Sequence, residues 1–115
     1  MLAVGEYLLG QVDDRFLRIA TGLGGGVGGT LQELCGALSG GVLLIGALHG
    51  RIQPDEDDSQ CMRLVTRYRK RFAQELGSTN CGSLRESGYG SEGSTPCSVL
   101  VERAVHVLLE VLNEA

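Results

Sequence analysis

The chain is predicted to be all-α, a compact bundle of about four to five helices around a central glycine-rich helix over about residues 31–49. Three observations carry that prediction. Apolar residues fall in helical register along the longest segments, as in Cys61, Val65, Tyr68, Phe72 and Leu76, or Val101, Val105, Leu108 and Leu112. Helix-start and helix-stop residues punctuate the chain at Asp13, Thr30, Asn80, Thr95 and Gly77. Only 4% of the residues are aromatic and there is no Trp, so the core must be Leu, Val, Ile and Ala, which suits helices packed at short range.

In chain order, Leu2 to Leu9 reads as a short apolar helix broken near Gly10. Asp13 is the expected N-cap of a second helix over Asp14 to Ala20, with Phe16, Leu17, Ile19 and Ala20 as its apolar face and Gly22 closing it. A glycine loop follows. Thr30 and Glu33 then form a T-x-x-E capping box, which predicts that the central helix starts at Leu31. It should end near His49, with Gly50 as a left-handed C′ residue and Arg51 near the negative helix end. Along this helix Gly36, Gly40, Leu43, Ala47 and Gly50 form a stripe almost without side chains. Interior glycine costs roughly 1 kcal/mol against alanine, so the stripe implies close approach of another helix, from the same chain or a second copy.

After Pro54, the acidic run Asp55 to Asp58 leads into an amphipathic helix from about Asp58 to Leu76, stopped by Gly77. Carboxylates at its start and the basic run Arg67 to Arg71 toward its end both oppose the helix macrodipole. Asn80 caps a short turn from Cys81 to about Glu86. The polar segment Glu86 to Thr95 is the expected mobile loop. Thr95 followed by Pro96 then reads as an N-cap with proline at N1, opening a last helix that runs to about Asn113.

At 115 residues the chain is expected to form one domain over residues 1–115, large enough to bury a core without obligatory staples. Its net charge of −4 argues against nucleic acid as the main partner, because phosphate binding needs a basic face. The N-terminal MLAVGEYLLG lacks a basic region and meets Glu6 early, which is unlike a signal peptide and points to the cytoplasm. The uncharged run Leu34 to Leu48 is 15 residues, short of the roughly 20 needed to span a bilayer. No membrane span is expected.

Gly24, Gly26 and Gly29 satisfy G-x-G-x-x-G, but the element before them reads as helix and no βαβ unit is in sight, so a dinucleotide site is disfavoured. The bland reading is a tight turn between packed helices. A looser functional one is a nest of backbone N–H groups facing an anion, a cofactor or a thiolate, with Gly24, Gly25, Gly26 and Gly36 allowing the close approach. Cys35, Cys81 and Cys97 all sit near predicted helix starts, where the positive end of the dipole favours the thiolate, the nucleophilic and metal-binding form. Small-residue packing is an equally good account of the three cysteines on this evidence alone. Cys61, inside an apolar stripe, reads as a packed small hydrophobe. There is no C-x-x-C, hence no thioredoxin motif, zinc knuckle or c-type haem attachment. His49 lies roughly 20 Å along the helix from Cys35, too far to share an ion within one chain, and His106 reads as a surface or half-buried residue.

The run GLGGGVGG, then LCGALSGG and GALHGR, with Cys81 in CGSL and Cys97 beyond, resembles the redox-active protein family named for its C, GCAxxG, C, C cysteine pattern. The sharpest match is the glycine loop followed by CGAxxG, carried by Cys35, Gly36, Ala37 and Gly40. A cysteine in the first helix, usual in that family, has no counterpart here. The resemblance implies a small helical cytoplasmic protein whose Cys35, Cys81 and Cys97 gather as a redox-active thiol set or as ligands of a metal ion or iron–sulfur cluster, with Cys35 central and a redox protein as partner. The alternative is a non-enzymatic protein that dimerises through the glycine stripe and whose cysteines only pack.

Overall fold

The computed structural model describes residues 2–90 and 95–114. Among them are six helices: α1 (Leu2–Leu9), α2 (Asp14–Thr21), α3 (Gly36–His49), α4 (Ser59–Leu76), α5 (Cys81–Glu86) and α6 (Cys97–Asn113). The bundle is all-α as expected, with one helix more than the four to five anticipated, and the described β pairing is limited to two isolated bridges. No described helix is long and apolar enough to cross a membrane.

The three long helices α3, α4 and α6 pack on one another. Between them lies the core of Leu38, Leu44 and Ile45 from α3, Leu64, Tyr68 and Phe72 from α4, and Leu100, Ala104, Leu108 and Val111 from α6. Burying each of the larger side chains is worth about 1.5 to 3 kcal/mol. Tyr68 and Phe72 meet edge to face at 6.0 Å and 74°, an arrangement that adds about 0.5 to 1.5 kcal/mol. On α6 the buried stripe is Leu100, Ala104, Val107, Leu108 and Val111, while Val101, Val105 and Leu112 of the expected stripe flank it half-buried.

Several element ends follow the sequence reading. Asp13 accepts from the Arg15 N–H at 2.6 Å, and Gly77 ends α4 in the left-handed region at φ 92°. The carboxylate that caps α4 belongs to Asp57, which accepts the Ser59 N–H at 2.9 Å and is held below the usual carboxylate range by that bond. The basic run has a role beyond the dipole: Arg67 pairs with Glu114 at 2.5 Å and Arg71 with Glu110, tying α4 to α6. Such exposed pairs contribute at most about 1 kcal/mol each.

Other ends differ. The central helix starts at Gly36, five residues later than the capping box implies, because Leu31 is left-handed at φ 64° and the backbone of 33–35 pairs with other segments. The Thr30 hydroxyl donates to Gly26 and Val27 carbonyls of the loop behind it. Gly50 is extended at φ −71°, ψ 167°, and not left-handed. Helix α2 buries no residue fully, and Ile19 of its expected apolar face is 70% exposed. Pro96 stands at the cap of α6 in place of Thr95, whose N–H and carbonyl are engaged by Gly88 O and Gly90 N in a bridge across the loop base. Residues 91–94 of the expected mobile loop lie outside the described residues.

The glycine stripe also reads differently in three dimensions. A tight helix contact falls one residue off the stripe, on Gly41, where an added methyl would lie 2.6 Å from Tyr68 Cζ and Oη. Gly40 lines an apolar cavity of about 140 Å³ with Gly5, Val12, Phe16 and Leu44, and Gly46 faces open space. Gly36 lies against the glycine loop, with Gly24 Cα 3.5 Å from where its methyl would be.

A thiol site at three helix starts

Cys35 is the N-cap residue of α3, Cys81 the first residue of α5 and Cys97 the first of α6. Cys35 and Cys81 are buried, Cys97 is exposed, and all three are free thiols, as is Cys61. What joins the first two is backbone pairing between residues 46 apart in the chain. Leu34 and Asn80 form an antiparallel bridge, flanked by Cys35 N–H donating to Thr79 O at 2.8 Å and Cys81 N–H donating to Glu33 O at 2.9 Å. Cys35 and Cys81 are thereby diagonal neighbours on one face of the bridge. In a regular ladder that placement separates Cα atoms by about 7 to 8 Å, just outside the range of about 4.4 to 6.8 Å typical of disulfides. A small backbone shift would close the bond.

Asn80 holds this crossing together. Its Oδ1 accepts the Ser83 N–H at 3.0 Å, capping α5, while its Nδ2 donates to Gln32 O at 2.8 Å on the opposite segment. Asn80→Ala should therefore lose about 1 to 2 kcal/mol, the upper range for a helix cap because a cross-segment bond goes with it. Urea unfolding measures it, and a loss under about 0.5 kcal/mol would mean that the crossing does not depend on this side chain.

The glycine loop packs as a lid over Cys81 and the start of α3. Gly25, Gly26, Val27, Gly28 and Gly29 all have positive φ, and the loop closes on itself: the N–H groups of Gly28, Gly29, Leu31 and Glu33 donate to the carbonyls of Gly22, Gly24, Gly25 and Gly26. Each of the four glycines expected to approach a cofactor has a packing role. Gly26 lies so near Cys81 that an added methyl would be 2.7 Å from its Cβ, a methyl on Gly25 would be 2.9 Å from Gly29 Cα, and Gly24 rests against Gly36.

The electrostatics of Cys35 do not follow from its helix-start position alone. Burial pushes its thiol above the ordinary value, the N–H groups of Ala37 and Leu38 pull it back, and the charges of Cys81 and Cys97 push it up again. Burial wins, so the helix end moderates the shift without producing a low-pKa thiolate.

Among the described residues, no group of three or more His, Cys, Asp or Glu side chains is arranged to hold a metal ion. Cys61 is half-buried against the core. His49 borders a groove with Tyr7, Leu8 and Leu109 at the far end of α3, and His106 is exposed. Tyr68 is the neighbour that sequence reading treated only as core. It is 0% exposed, donates from its hydroxyl to Ala37 O at 3.0 Å, and has its own pKa raised by burial first and by Cys35 second. A phenol within an otherwise apolar stripe was the available signal, since a buried hydroxyl needs a partner.

Fold and site together define a small all-α protein with a buried pair of thiols, a third thiol at the surface and a glycine lid. A family model described as "Putative redox-active protein (C_GCAxxG_C_C)" matches residues 1–111, and the chain belongs to that family. Searches among curated proteins and among solved structures found no match.

Proposed function

We propose that the protein is a cytoplasmic thiol–disulfide exchange protein, acting as one domain through Cys35, Cys81 and Cys97 with a disulfide-bearing redox protein as partner. The observation that carries this reading is the bridge between residues 34 and 80, which holds two buried cysteines as diagonal neighbours. The absence of a three-ligand cluster among the described residues favours exchange chemistry over metal or iron–sulfur ligation.

Cys97, the exposed thiol, attacks the partner's disulfide as the thiolate; a mixed disulfide forms and one partner sulfur leaves as a thiolate that takes up a proton. Cys35 then attacks Cys97 Sγ, expelling the second partner sulfur, so the partner leaves as a dithiol and the protein holds an internal disulfide. Two electrons and two protons have passed to the partner. Exchange with Cys81 moves the bond to the buried Cys35–Cys81 pair.

Equilibration in glutathione buffers of graded potential, acid quenching and peptide mapping of the disulfides tests this. Cys35 should pair with Cys81 or Cys97 in the oxidised protein, Cys35→Ser should abolish every internal disulfide, and Cys61→Ser should change nothing. Cys35 staying reduced across the whole range, or pairing with Cys61, would overturn the assignment. The alternative, a dimer with structural cysteines, predicts that same inert Cys35 together with a doubled mass in sedimentation.

A further inference from the structure

We propose that the apolar cavity between α1, α2 and α3 is a binding site for a small uncharged apolar molecule of benzene size, and that its occupancy holds the glycine lid closed over Cys81.

The cavity holds about 140 Å³, and none of its lining side chains carries a polar atom. Phe16, Leu17 and Ala20 line it from α2, where spacings of one, three and four residues put them on one helix face. Gly40 and Leu44 line it from α3. Water is a poor occupant, because a buried water needs two to four polar partners and this wall offers no side-chain partner. A charged ligand would lose its hydration with nothing in exchange. Apolar cavities of about 150 Å³ bind benzene or xenon, which sets the size of the occupant. Entry is through α2. That helix buries no residue fully, and Leu17 is 38% exposed, so the wall it forms is weakly held and can swing aside.

The same wall runs without a break into the lid. Ala20, which lines the cavity, accepts the Leu23 N–H at 3.1 Å, and Gly22 accepts the Gly28 N–H at 2.8 Å from the far limb of the lid. Between those two limbs lies Gly26, where an added methyl would be 2.7 Å from Cys81 Cβ. The α3 wall meets the lid as well: a methyl on Gly36, one turn before Gly40, would lie 3.5 Å from Leu23 O. Lifting the lid off Cys81 therefore pulls on the end of α2, and a ligand that fixes α2 against α3 resists the opening. A ligand that binds only the closed form lowers the open population by the factor 1 + [L]/Kd.

The test is a titration with benzene, followed by amide NMR and by the rate of Cys81 alkylation with iodoacetamide, read by mass spectrometry. Benzene should give saturable shifts centred on Phe16, Ala20 and Gly40, and at roughly ten times its Kd should slow Cys81 alkylation about tenfold. Benzoate, the same ring with a charge, should do neither. No saturable shift, or saturable binding with an unchanged Cys81 rate, would overturn the proposal. So would binding that appears only where dilution has dissociated a dimer in sedimentation, since a second copy's side chain would then be the occupant. Ala20→Leu places an isobutyl group in the cavity; it should abolish benzene binding and slow Cys81 alkylation with no ligand present. Unaltered binding in this variant would put the site elsewhere and be equally fatal. If Ala20→Leu does not fold, as judged by circular dichroism, Val12→Ile narrows the same cavity and should weaken benzene binding. Alkylation needs no disulfide to form, so these outcomes are independent of whether Cys35 and Cys81 pair.

Discussion

Gly41→Ala is expected to destabilise the protein by about 2 to 4 kcal/mol. Overpacking of a filled site typically costs about 1 to 3 kcal/mol. Displacing Tyr68 also strips its buried hydroxyl of the Ala37 carbonyl, a further cost of about 1 to 3 kcal/mol. Alanine returns at most about 1 kcal/mol through helix propensity. For a chain of this size the melting temperature should fall by roughly 8 to 15 °C. Gly46→Ala is the internal control, because that position in the same helix faces open space; it should melt at or above the parent temperature. If both variants melt alike, the crossing of α3 and α4 has room for a methyl group and Tyr68 is not confined.

Gly26→Ala should act on the site itself. At φ 72° an L-residue pays roughly 1 to 2 kcal/mol for the left-handed backbone, and the new methyl would stand 2.7 Å from Cys81 Cβ and 2.9 Å from Leu31 Cα. The least costly response is for the lid to lift. Since each 1.4 kcal/mol is a factor of ten in the open population, alkylation of Cys81 in the folded protein should rise on the order of tenfold or more. Gly28→Ala separates the two causes: its φ is 63° and nothing lies near it, so it pays the backbone term alone. Equal Cys81 reactivity in the two variants would show that the lid does not control access to the pair.

Much of the scaffold was legible in the sequence because its signals are local. The apolar register of α4, the left-handed stop at Gly77 and the Asn80 cap involve residues within one or two turns of each other, and each is found where expected. The capping box at Thr30 and Glu33 misled because the two N–H groups it would satisfy donate instead to the glycine loop just before them, Thr30 N–H to Val27 O and Glu33 N–H to Gly26 O, while the Glu33 carbonyl is taken by the distant Cys81 N–H. The same holds for the site. Three cysteines near helix starts can be seen in the chain, but that Leu34 pairs with Asn80, and so sets Cys35 beside Cys81, depends on residues 46 apart. The glycines were informative as a group: Gly36 of the stripe meets the backbone of Gly24, while the position that admits Tyr68, Gly41, lies one residue outside the stripe.

The lid has one more consequence, which concerns handedness. From Gly25 to Gly29 the backbone keeps positive φ for five consecutive residues, a path natural to amino acids of the opposite chirality. Four of the five are glycine, which has no hand, and Val27 alone bears the cost of being an L-residue there. A mirror-image residue would be at home in this stretch. At Gly28 and Gly29 D-alanine suits the backbone dihedrals that L-alanine resists, so this short segment of an L-protein follows a path made for the other enantiomer.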